Sequence, residues 1–177
     1  MSIFTEFLTD RLFFVTQQSV GNEPVLRNQM MMRLMQAALD WANERTPFTR
    51  IGYVFLPDQI QLLLTLTGNA PLDRLMWNVR TCFQREYHEL LNMPGDTLLW
   101  PDEYEARRVV DVEQLAVYLD TMHYQPVQRG FVDQPETWPY SSFALWQERG
   151  IYPLQWGWTV PAALQKGLAQ RGKGHVP

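Results

Sequence analysis

The run from Ile51 to Thr67, IGYVFLPDQIQLLLTLT, most constrains what this chain can fold into. Ile51 to Leu56 is an apolar strand, and Pro57-Asp58 turns or kinks it. Beyond the turn, Ile60, Leu62, Leu64 and Leu66 point one way, while Gln59, Gln61, Leu63 and Thr65 point the other. That alternation predicts a half-buried strand with two glutamines side by side on its second face.

The flanking segments fit around this pair. Leu12 to Val20 is β-branched and aromatic and predicts a strand. Asn28 to Glu44 sets Met31, Leu34, Met35, Ala38 and Trp41 at helical spacing. Leu72 to Leu91 repeats the pattern with Leu75, Val79, Phe83, Tyr87 and Leu91. Asn92 to Glu105, with Pro94-Gly95 and Trp100-Pro101, predicts a loop. Val112 to about Tyr124 is a third helix, expected to stop at Pro126, with Thr121 and Gln125 one turn apart. The order predicts an α+β architecture, an antiparallel sheet flanked by helices and ferredoxin-like in type.

Composition limits the function classes. A 177-residue chain with 46% hydrophobic and 19% charged residues can bury a core and is not a disordered chain. The lone Cys82 excludes an internal disulfide framework and a Cys-based zinc site. The longest apolar run, near Ile60 to Leu66, is too short to span a bilayer, and no secretion signal opens the chain. A cytoplasmic protein without membrane association is expected.

Charge is unevenly placed. All 19 acidic residues precede Arg149, whereas Arg149, Lys166, Arg171 and Lys173 follow with no acid among them. The division predicts an acidic body over residues 1–148 and a basic C-terminal tail over residues 149–177. A formal net charge of -4 disfavours general nucleic-acid binding, which needs clustered cations.

No complete catalytic set emerges from the residues alone. His88, His123 and His175 lack a paired metal-ligand spacing, and no nucleophile elbow or phosphate loop occurs. His123 is singled out because it shares the third helix with Thr121 and Gln125.

Four local motifs carry a family resemblance. IGYVFLPDQIQLLLTL resembles the metal-binding strand of single-tyrosine HUH transposases, and YLDTMHYQPVQRGFV resembles their nucleophile helix. WPYSSFALWQERGIYPLQWGW is similar to the C-terminal signature of the REP-associated tyrosine transposases. Val79-Arg80 with Phe83 and Arg85 resembles the family's preceding helix.

In that family the strand reads Pro-Asp-His-hydrophobic-His, and its histidines help hold a divalent cation. The helix reads Tyr-Ile-His-x-Asn-Pro-Val; its tyrosine forms a 5′-phosphotyrosine link, and the amide residue completes the metal site. The resemblance sets the histidines at Gln59 and Gln61, the tyrosine at Thr121 and the amide ligand at Gln125. Pro57, Asp58, His123, Tyr124, Pro126 and Val127 match unchanged. A threonine without a base and neutral amides in place of imidazoles imply a degenerate site.

The resemblance therefore implies an inactive transposase-like protein, with no cofactor expected, or Mg or Mn if activity survives. It is retained to bind single-stranded or hairpin DNA or a protein partner, as monomer or homodimer. The alternative is an active single-strand DNA transposase or endonuclease with a non-standard site. Arg80, Arg85, Arg107, Arg108, Arg171 and Lys173 are the DNA-contact candidates. Asp102 and Glu103 stand where relatives carry arginines and weaken that expectation. Trp156 and Trp158 are the candidates for an exposed aromatic patch.

Overall fold

The elements follow the order β1(Leu12–Gln18), α1(Gln29–Arg45), β2(Phe48–Leu56), β3(Gln59–Leu66), α2(Leu72–Leu91), β4(Glu105–Arg108), α3(Val112–Gln128) and α4(Phe143–Glu148). The computed structural model describes residues 4–165. Lys166, Arg171 and Lys173, with the rest of the basic tail from residue 166 onward, lie outside the described residues.

The sheet order is β2-β3-β1-β4, and every pairing is antiparallel. β1 and β2 are separated by β3, which gives the split β-α-β arrangement of a ferredoxin-like sheet. The expected α+β class is the observed one.

Alternation along β3 sorts its side chains onto two faces. Ile60, Leu62, Leu64 and Leu66 pack with α1 and α2 through Met31, Met35, Leu39, Leu75, Val79 and Phe83. Leu63 joins Phe14, Val54 and Leu56 beneath Leu115, Leu119 and Met122 of α3 and Phe143 and Trp146 of α4. Helices thus cover both faces, and β3 is more enclosed than its alternation predicts. Gln61 is only 5% exposed.

Caps set where α1 and α3 begin. The Asn28 side chain accepts from Met31 N at 3.0 Å, and that of Asp111 from Gln114 N at 2.7 Å. Gly52 of β2 lets α3 approach closely: a Cβ there would lie 2.9 Å from Leu119 Cδ2 and 3.0 Å from Met122 Sδ.

Two expectations are corrected. α3 does not stop at Pro126 but runs through it to Gln128. Proline removes one donor only, its ring is buried, and the Gln125 carbonyl still accepts from Arg129 N at 2.9 Å. The loop after α2 ends in a strand, β4, whose EARR sequence has no apolar alternation. Its order comes from pairing with β1, and its charges suit an exposed sheet edge.

Candidate functional site

Strand register brings a polar strip under the C-terminal half of α3. Gln61 stands opposite Thr16 of β1 and Val54 of β2, and Gln59 opposite Gln18 and Leu56. Both glutamines share the face of Leu63, the face α3 covers. Gln59 is half-buried. Gln61 Oε1 is buried without a hydrogen-bond partner.

Thr121 and Gln125 are one turn apart on α3, and both are half-buried. The Thr121 hydroxyl donates to the Val117 carbonyl at 2.7 Å. That bond turns the oxygen's proton back onto its own helix. Among the described residues no histidine or carboxylate is hydrogen-bonded to the hydroxyl, so none of them is placed to activate it.

The same positions can be tested for a divalent cation. Gln59, Gln61 and Gln125 offer neutral amides only. Among the described residues no group of three or more His, Cys, Asp or Glu side chains could hold a metal ion. The unpartnered Gln61 Oε1 is a single neutral donor, too little to replace a dication's hydration shell. These residues do not fit the cation that the family motif implies.

The unchanged motif residues hold the scaffold. Asp58, in the turn before Gln59, accepts from Arg129 Nη1 and Nη2 at 2.7 and 2.9 Å. Gln18 Nε2 donates to the Asp58 carbonyl at 2.9 Å and to its carboxylate at 3.1 Å. Burial raises the Asp58 pKa, but the Arg129 bond and charge, with help from backbone and Gln18, leave it below the ordinary value. The turn before β3 is thus tied to the end of β1 and the end of α3.

His123 faces the core, fully buried, and is no part of the polar strip. Its Nε2 lies 2.7 Å from Ser142 Oγ, and its Nδ1 lies 2.8 Å from the Tyr152 hydroxyl. Tyr152 in turn donates to Asp120. Donor assignment then runs one way along the chain. The Tyr53 N–H donates to Ser142 Oγ at 2.9 Å, and Ser142 donates to His123 Nε2. His123 Nδ1–H donates to Tyr152, and Tyr152 to Asp120.

Burial sets the acid–base character of this chain. It pushes the His123 pKa down to about 3. It pushes Asp120 up to about 6, against the opposing Tyr152 bond. Tyr152 is held above its ordinary value by burial and by the Asp120 charge and bond. The imidazole is a neutral connector between α3 and the Ser142–Tyr152 segment. Sequence reasoning singled out His123 but missed Asp120, Ser142 and Tyr152. The WPYSS and GIYP stretches of the C-terminal signature carried that signal.

The cationic candidates do not form one patch. Arg80 is buried on α2, donating to Gln17 Oε1 and to Asp102 Oδ1, each at 3.3 Å. Arg85, exposed on the same helix, donates to Glu86 at 2.6 and 2.9 Å. Arg108 pairs with Asp10 at 3.3 Å. Arg107 is exposed opposite Phe14, whose ring stacks on Tyr118 at 4.4 Å. Strand alternation therefore places Arg107 on the α3 side of the sheet, away from Arg80 and Arg85.

Trp156 is not an exposed anchor, because its ring lies 4.2 Å from that of Tyr152 and 5.7 Å from that of Phe143. Trp158 remains 47% exposed and donates to Glu136 Oε1 at 2.7 Å.

The split β-α-β sheet with α3 laid over the PDQIQ strand is an α+β fold shared with a tyrosine transposase. No family model matches the chain. A curated Haemophilus influenzae protein assigned to the REP-associated tyrosine transposases is 30% identical over 123 residues, covering 64% of this chain and 69% of that relative. The REP-associated tyrosine transposase of Escherichia coli K12 is 22% identical over 148 residues, covering 84% and 85%. The structure of a REP-associated tyrosine transposase bound to a REP hairpin superposes with a TM-score of 0.72 at 19% identity, covering 88% of this chain and 92% of that one. The chain belongs to the REP-associated tyrosine transposase family.

Proposed function

We propose that this chain is a catalytically silent member of the family, kept for binding rather than for strand cleavage and rejoining. One observation carries the reading: Thr121, at the nucleophile position, gives its proton to the Val117 carbonyl and has no base bonded to it among the described residues. Amides at Gln59, Gln61 and Gln125 supply no charge to offset a scissile phosphate, so no cofactor is assigned.

The ligand that family membership supports is a DNA hairpin, since a structural neighbour is bound to a REP hairpin. Arg107 is the described cation best placed for it, with Arg171 and Lys173 as further candidates. The electrostatic drive is reduced, because Arg80, Arg85 and Arg108 are each already paired with a carboxylate.

A second reading is a protein-interaction module. Exposed Leu145, Leu154 and Trp158, at 56%, 86% and 47%, favour it. No helix among the described residues is long and apolar enough to cross a membrane.

The test is incubation of the purified protein with single-stranded hairpin DNA and Mg²⁺ or Mn²⁺, followed by gel shift and denaturing gels. The expected result is a shifted complex with no cleavage and no covalent adduct. An adduct or a cut strand overturns catalytic silence, and absence of a shift transfers support to the protein partner.

A further inference from the structure

We propose that the outer edge of β4 pairs with the same edge of a second copy of this chain, in one register, centred on Ala106. β4 ends the sheet order β2-β3-β1-β4, so no strand lies beyond it among the described residues. The opposite edge of the sheet is closed. Along β2 the Tyr53 carbonyl accepts from Ser142 N and the Phe55 N–H donates to the Tyr140 carbonyl, each at 2.9 Å. β4 is thus the open edge, and all of its residues are exposed.

Backbone alternation decides which groups of β4 face outward. The Val109 N–H donates to the Leu12 carbonyl at 2.9 Å, and the Glu103 carbonyl accepts from Gln17 Nε2 at 3.1 Å. Odd-numbered residues here turn their backbone groups toward β1, so Ala106 and Arg108 turn theirs to solvent. Glu105 and Arg107, opposite Thr16 and Phe14, hold their side chains on the α3 face. Neither side chain has a hydrogen-bond or ion-pair partner among the described residues.

Charge selects the partner and the register. Asp102, Glu103 and Glu105 stand at one end of this segment, Arg107 and Arg108 at the other. An antiparallel copy lays the acidic end of one edge against the basic end of the other. Centred on Ala106, the two copies exchange N–H to carbonyl bonds between their Ala106 residues. Glu105 of each copy then stands opposite Arg107 of the other, a cross-strand pair made twice. Centring on residue 105 or 107 instead sets Glu105 against itself or Arg107 against itself, which is repulsive. A charged edge repels foreign strands, but this one matches its own copy. Arg108 keeps Asp10 as its partner. The two-fold axis is normal to the sheet, so both α3 helices lie on the same face of one continuous sheet.

The experiment is sedimentation equilibrium of the full chain without DNA, from about 1 to 500 µM, a range that spans the affinity of a small interface. The expected result is a reversible monomer–dimer equilibrium. Ala106→Pro removes the N–H used twice at the axis and none that β1 uses, so the dimer is lost with Tm unchanged. Glu105→Arg and Arg107→Glu each set like charges opposite one another at both pairs, and each is expected to weaken the dimer about tenfold or more. Mixed together, these two single variants recover both pairs in a heterodimer, and the double variant recovers them in a homodimer. A chain that stays monomeric across the range, a dimer that survives Ala106→Pro, or single variants that fail to pair when mixed overturns the interface. Self-pairing occupies Arg107, and a readout without DNA keeps its outcome separate from that of the hairpin assay.

Discussion

Arg129 and Asp58 form a two-pronged ion pair, 2.7 and 2.9 Å, that joins the end of the Thr121 helix to the turn before the Gln59 strand. The two segments are far apart in sequence, yet the pair sets how one sits on the other. A buried carboxylate that loses a bidentate partner keeps its desolvation cost and loses its compensation.

Arg129→Ala is therefore expected to destabilise the fold by about 1–3 kcal/mol, read as a lower urea midpoint. Arg129→Lys, which keeps the charge but not the fork, should fall between wild type and alanine. A midpoint unchanged in the alanine variant would show that the pair is only a surface contact.

Restoring the reactive groups tests whether the frame alone suffices. The triple variant Gln59→His, Gln61→His and Thr121→Tyr is expected to form a covalent adduct with hairpin DNA in Mg²⁺ or Mn²⁺. Each single variant should not, because nucleophile and cation are needed together. Adduct formation is scored on denaturing gels, and a silent triple variant would mean that further residues have diverged.

Stability should respond to pH in two opposed ways. The Asp120 pKa is raised to about 6 in the fold, so its contribution is full below the unfolded value and is lost as pH rises through about 6. His123 is lowered to about 3, so its contribution is present above its ordinary value of 6.5 and is lost as pH falls toward about 3. Asp120→Asn removes the first effect and is expected to raise the urea midpoint at neutral pH relative to wild type. It should leave the acid-side loss from His123 in place. An identical pH profile for the two proteins would remove Asp120 from this account.

Asp102 is 91% exposed at its side chain, yet it lies 3.3 Å from the Arg80 guanidinium. Asp102→Ala frees that cation and removes a repelling charge. Hairpin affinity is expected to rise, and the slope of log affinity against log salt to steepen by about one. Unchanged affinity and slope would place DNA away from this end of α2.

The PDQIQ strand shows how far local pattern reaches. Alternation put Gln59 and Gln61 on one face because a side-chain period of two is a property of the extended backbone. It could not show that this second face is covered, which is why β3 reads as half-buried in sequence and is enclosed in the fold. β4 was invisible for a related reason: EARR carries no apolar signal, and only the free edge of β1 makes it a strand.

His123 marks the limit for the site. It shares α3 with Thr121 and Gln125 but stands two residues from each, so helical rotation turns it inward, toward Ser142 and Tyr152. Arg80 is a parallel case, since a cation on an amphipathic helix is expected at the surface and here is enclosed by Gln17 and Asp102. Which partner meets a side chain depends on segments distant in the chain, and no local period encodes that.

The opening strand pair, the helix spacings and the motif order determined by themselves the α+β class and the family resemblance, which sets Gln59, Gln61 and Thr121 at the family's motif positions. Tertiary structure decided the rest. It set α3 over the glutamine face, clamped that helix through Arg129 and Asp58, and buried His123 as a neutral connector. Periodicity is a property of one segment, whereas burial and partnership arise only when segments pack.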